Sequence, residues 1–164
     1  MAKQYDGTEF FKMMAVNEKA TAALYRQLAA DVKFGGKFFE NLAKDEDRHF
    51  TIYTALLKKY ADGKGLTVEV TDDQAEFLNL LIKNNALSEP EKMSEKAAKL
   101  KTKDEIFGLA ESGERDAVLF VSELIGLYPM LQPDDFKVVL QEEKDHLKQV
   151  MSRRIESKMG TLRL

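Results

Sequence analysis

"LAKDEDRHF", residues 42–50, and "LQEEKDHLK", residues 140–148, decide how the rest of the chain reads. Around the first, Phe39, Leu42, Tyr53, Leu56 and Tyr60 recur at helical spacing and share one apolar face. Glu46 and His49 lie on that same face, one turn apart. Around the second, Phe136, Val139 and Val150 mark an apolar face, and Glu143 and His146 interrupt it in the same way. A phenylalanine stands seven residues before each Glu-x-x-His unit, Phe39 and Phe136.

Four long helical patterns carry these faces. The first runs from about Glu9 to Val32, with Asp6 and Glu9 in "DGTE" as a capping box and "FGGK" after it. The second runs from about Lys37 to Ala61 and stops at "DGKG". The third opens at the capping box "TKDE" from Thr102 and runs to about Tyr128, before Pro129. The fourth follows Pro133 and runs to about Lys158. The connections at 33–36 and 129–133 are short, so each predicts an antiparallel hairpin. Between the hairpins lies a crossover over about 62–101. In it "LTVEVT" alternates like a short extended piece, "DDQAEFLNLLIKNNA" reads as a short helix, and "SEPEKMSEKAAKLK" is polar and weakly helical. The prediction is an all-α single domain over 1–164: a four-helix bundle of two hairpins joined by a long crossover. An open array of helix pairs is the alternative, but it needs more repeats.

Steps of three and four trace the bundle seam. Helix one gives Phe11, Met14, Glu18, Thr21, Tyr25 and Leu28. Helix three gives Phe107, Ala110, Glu114, Ala117, Val121, Leu124 and Tyr128. Every seam therefore has a carboxylate near its middle. Glu46 follows Glu18 by 28 residues and Glu143 follows Glu114 by 29, so the halves read as a diverged repeat of one hairpin.

Composition narrows the chemistry. The chain of 164 residues has no cysteine, which excludes disulfides, thiolate nucleophiles and cysteine-bound metals. Its only two histidines are both in the repeated units. A net charge of −3 argues against a nucleic-acid surface, and no apolar run approaches a membrane span. The N-terminus, "MAKQYDGTEFFK", lacks the apolar core of a signal peptide, so a cytoplasmic protein is expected. Four ionised carboxylates facing one another in a core are very costly without cations. Two divalent metals balance them in formal charge, and oxygen and imidazole ligands suit iron, manganese or zinc. Taken singly, an inward Glu reads equally as a misphased surface residue, and a lone inward His is more often a satisfied core residue than a ligand. The matched set of six argues for a two-metal site.

"AVNEKATAALY" around Glu18, "LAKDEDRH", "AESGERDAVLF" around Glu114 and "LQEEKDH" together resemble the ferritin-like superfamily, most closely its rubrerythrin-type di-iron domain. The resemblance covers the bundle helices of the whole chain. It implies that Glu46 and Glu143 bridge two irons, with Glu18, Glu114, His49 and His146 as terminal ligands. It further implies that Asp45 holds His146, that Glu142 holds His49, and that Tyr25 stands beside the metals. Three departures accompany it. The chain has no cysteine for a rubredoxin domain. Rubrerythrins use a further carboxylate one turn after the ligand matching Glu114, where this chain has Ala117. "ESKMGTLRL" is too short for the extra terminal helix of storage ferritins. Glu111, one turn before Glu114, is a candidate extra ligand or a surface acid. The implied function is a peroxidase or ferroxidase reducing hydrogen peroxide or oxygen, with electrons from an external donor protein, in a homodimer. The rival readings are an iron-storage shell and a non-catalytic bundle with a vestigial site.

Overall fold

The computed structural model describes residues 1–31, 35–62, 64–129 and 134–162, with backbone alone at 64, 134–136 and 160–162. The chain runs β1 (Ala2–Asp6), α1 (Thr8–Ala29), α2 (Gly36–Lys59), β2 (Thr67–Thr71), α3 (Asp72–Lys83), α4 (Pro90–Ala98), α5 (Lys103–Leu127) and α6 (Asp134–Leu162). It is an all-α bundle with one small antiparallel sheet. The expected connection residues 33–34 and 130–133, and the side chain of Phe136, lie outside the described residues.

The four long helices pair as two antiparallel couples, α1 with α2 and α5 with α6. In the first couple Tyr25 stacks near Phe39, while Met14 and Tyr53 share a core at the other end. In the second, Arg154 near the end of α6 reaches back to Asp104 at the start of α5. The seam positions are buried as their spacing predicts, with Thr21, Leu56, Tyr60 and Ala117 partly so.

Local chemistry sets the helix ends. Thr102 and Glu105 form the expected capping box of α5. The box expected from Asp6 and Glu9 does not form. Asp6 is the last residue of β1, so Gly7 becomes the residue that starts α1. The Asp6 carboxylate instead accepts from the Thr8 amide and hydroxyl, and Glu9 pairs with Lys12. Helix α1 also stops earlier than expected, at Ala29 rather than Val32. The left-handed residue, Gly35 at φ +91°, precedes α2 instead of ending α1. Helix α6 extends beyond the expected Lys158 to Leu162.

In the crossover, the extended piece and both short helices form where expected, as β2, α3 and α4. The partner of β2 was not legible. It is β1, paired antiparallel from Ala2 with Thr71 to Asp6 with Thr67. A two-stranded ribbon is marginal alone. Here it is anchored by Tyr128, whose hydroxyl donates to the Leu66 carbonyl at 2.8 Å. The Gly7 amide donates to the same carbonyl. A β-carbon at Gly7 would lie 1.8 Å from the Tyr128 hydroxyl. Gly7→Ala is therefore expected to lose about 1–3 kcal/mol by overpacking, read as a lower urea midpoint at unchanged slope.

The core has two parts. One gathers Phe10, Phe11, Met14, Tyr53, Val121 and Leu124. The other gathers Tyr25, Leu28, Phe39, Leu42, Phe107 and Val150. The carboxylates and histidines of all four long helices form a polar layer between them. Among the described residues no helix is long and apolar enough to cross a membrane.

Candidate metal centre

Glu18, Glu46, His49, Glu114, Glu143 and His146 are each at most 3% exposed. They form two groups whose potential ligand atoms lie within 4.8 Å of one another: Glu18, Glu46, His49 and Glu143, and Glu46, Glu114, Glu143 and His146. Glu46 and Glu143 belong to both.

The shared carboxylates are split between the groups. Glu46 Oε2 lies 3.1 Å from His49 Nδ1, and its Oε1 lies 3.3 Å from His146 Nδ1. Glu143 Oε1 lies 3.0 Å from His49 Nδ1, and its Oε2 lies 3.5 Å from His146 Nδ1. Glu18 Oε2 closes the first group at 3.7 Å from His49 Nδ1. Glu114 Oε2 closes the second at 3.6 Å from His146 Nδ1. The imidazole planes are stacked, with ring centroids 6.0 Å apart.

The outer nitrogens are held across the bundle. His49 Nε2–H donates to Glu142 at 2.7 Å, and His146 Nε2–H donates to Asp45 at 3.1 Å. Each bond fixes its ring with Nδ1 turned inward. Arg48 then joins the two outer acids. One guanidinium nitrogen lies 3.1 and 2.9 Å from the Glu142 oxygens, and the other lies 2.8 Å from Asp45. Arg48 was not singled out from the sequence. A signal exists in retrospect: it sits three residues after Asp45, a spacing that makes helix neighbours. Its counterpart in the second unit is Asp145, so one arginine serves both halves.

Tyr25 donates its hydroxyl to Glu114. Burial, then the Glu114 charge, raises the Tyr25 hydroxyl well above its ordinary range, so it stays protonated. Tyr53 stands on the Glu18 side, and burial together with the charges of Glu18, Glu143 and Glu46 raises it likewise. Glu111 does not join the cluster. Its carboxylate is paired with Arg115 at 2.8 Å and Arg154 at 3.0 Å, and it is in neither carboxylate–histidine group. Ala117 lines a cavity beside the centre.

The electrostatics show how much positive charge the layer wants. Burial, then the charges of Glu143 and Glu46, pushes Glu18 well above the ordinary carboxylate range. Burial, only partly offset by His146, pushes Glu114 up to about 8. For Glu46, burial acts upward but the contacts to His146 and His49 outweigh it, leaving the group at about 2. Burial likewise opposes charging of both histidines. It loses to the surrounding carboxylates, which raise both imidazoles far above their ordinary value.

The donor set fits a pair of divalent metal ions. Glu46 Oε1, Glu114 Oε2, both Glu143 oxygens and His146 Nδ1 are buried without a well-aligned hydrogen bond, and each of these carboxylate oxygens lies 3.0–3.6 Å from an imidazole Nδ1. Buried polar atoms are normally satisfied, and these five belong to the two carboxylate–histidine groups. Oxygen and imidazole donors without thiolate suit iron, manganese or zinc. Comparison with family models, with curated proteins and with solved structures returned no match for this chain.

Proposed function

We propose that this chain is a two-metal carboxylate redox protein with the ferritin-like bundle arrangement, of the rubrerythrin type. It reduces hydrogen peroxide or oxygen with electrons from a separate donor protein. The observation that carries the reading is the division of Glu46 and Glu143, each of which offers one oxygen to each histidine side. That division is what two carboxylates bridging a metal pair require.

A metal pair of the iron type, if held there, would supply the two electrons that cleavage of an O–O bond needs. Glu46 and Glu143 would serve both ions, Glu18 and His49 would complete one side, and Glu114 and His146 would complete the other. Asp45 and Glu142 orient the imidazoles, and Arg48 holds both acids in place. Tyr25 holds a proton at its hydroxyl against Glu114, where a reacting oxygen can draw on it. The apolar clusters on either side of the layer keep bulk water from those two sides, which strengthens the charge interactions there.

Stopped-flow mixing of the reduced, iron-loaded protein with peroxide tests this reading. Reoxidation faster than in buffer alone is expected; equal rates sink the redox function. Arg48→Ala is expected to lower metal affinity by up to about tenfold, the low end of the range for loss of a ligand's own partner, because Arg48 acts through Asp45 and Glu142. Competition with a chromogenic chelator measures it. Arg48→Lys should recover little, because an ammonium lacks the fork that spans both acids.

A further inference from the structure

Helices α1 and α5 do not close on each other beside the carboxylates. On α5 the gap is faced by Ser112, Gly113 and Ala117, and on α1 by Thr21. A β-carbon added at Gly113 meets no atom within 4 Å. The result is a cavity of about 330 Å³. That volume falls in the class of small-molecule sites, roughly 300–1,000 Å³, and far exceeds the need of a two-atom oxidant.

Its walls are mostly apolar: Met14, Leu24, Met93, Leu100, Leu109 and Phe120. Its floor is the metal centre, since Glu18, Glu46 and Glu114 line it. Glu46 Oε1 and Glu114 Oε2 are paired with His146 Nδ1 at 3.3 and 3.6 Å. Its roof is the crossover, pinned by the buried amide pair Asn17–Asn85, with bonds of 2.8 and 3.1 Å in the two directions. The charged side chains at the rim do not favour an anion. Lys96 stands with Glu105 and Asp116, and the Glu105 carboxylate is committed to the start of α5.

We propose that this cavity binds an uncharged, apolar organic molecule against the Glu18–Glu46–Glu114 face of the centre. The binding itself needs no metal; only its link to the redox reaction rests on the two-metal reading.

The test titrates the full chain, metal-free and loaded anaerobically with iron(II), with N-phenyl-1-naphthylamine, an uncharged dye that brightens in apolar surroundings. One saturable site per chain is expected in both states. Decanol should displace the dye at concentrations at least about tenfold lower than decanoate or decylamine, because burying a charge is costly. Gly113→Leu, which grows into the gap, is expected to weaken dye binding by about tenfold or more while the melting temperature holds. Ala117→Leu gives the same readout should the first variant fail to fold. The inference is overturned by absence of saturable binding, by binding that both variants leave intact, or by stronger displacement from a charged decyl compound. Metal content is read on the same samples: saturable dye binding without metal uptake supports the cavity and removes the two-metal reading.

Discussion

Glu46→Ala is expected to abolish the stabilisation that metal gives this protein. In the unsubstituted chain, ions that bind only the folded state raise stability by about 2.7–4.1 kcal/mol at roughly 100–1,000-fold excess over Kd. For a chain of this size that corresponds to about 5–15 °C in melting temperature. Glu46 offers an oxygen to each side of the centre, so its loss removes a donor from both groups at once. The alanine variant should melt at the same temperature with and without iron(II), as differential scanning calorimetry reads directly. Glu111→Ala is the matched control, because that acid spends itself on two arginines. It should retain the full metal-dependent shift. A Glu46→Ala protein that still gains several degrees from metal would show that its carboxylate does not bridge.

The second large effect is on pH. Without metal, Glu114 holds its proton up to about pH 8 when folded, against an ordinary value of 4.5. Glu18 is shifted in the same direction, and both histidines hold protons well above their ordinary 6.5. In each case the folded chain binds more protons than the unfolded one, so stability falls as pH rises. For Glu114 the window is 4.5 to about 8, and the histidines act from 6.5 upward. Glu46 acts the other way: lowered to about 2, it gives stability that is lost as pH falls below 4.5. The metal-free protein should therefore melt lower at pH 8 than at pH 5. Metal ions replace the protons on Glu18, Glu114, His49 and His146 and remove this loss. The gain in melting temperature from metal must then widen between pH 5 and pH 8. Up to four protons, one from each of those groups, should be released per chain at pH 7, as a dye in weak buffer measures. A gain independent of pH would contradict the charge state of the layer.

The repeat made the centre of the bundle legible. Glu18, Glu46, Glu114 and Glu143 could be placed on seams because apolar neighbours at steps of three and four fix a helix face. What stayed hidden depends on contacts between elements far apart in sequence. β1 carries too little pattern to be read as a strand, and it exists because β2 offers it an edge. The Asp6 cap was misread for the same reason, since strand pairing carries the chain through Asp6 before the helix can start. Arg48 looks like any solvated arginine until α6 brings Glu142 beside it. The cavity was equally illegible, because Gly113 and Ala117 show only small side chains until α4 and the turn at Ala86–Ser88 cover them. Glu111 is the converse case: its neighbour Glu114 made it plausible as a ligand, and Arg154 of α6 claims it.

On the proposed reading, one chain holds two metal ions between its four long helices. Metal content of the anaerobically reconstituted protein, measured by elemental analysis against protein concentration, tests it most directly. Two iron ions per chain are expected, falling below one in Glu46→Ala. Zero in the unsubstituted chain, or a value near one that Glu46→Ala leaves unchanged, would contradict that reading.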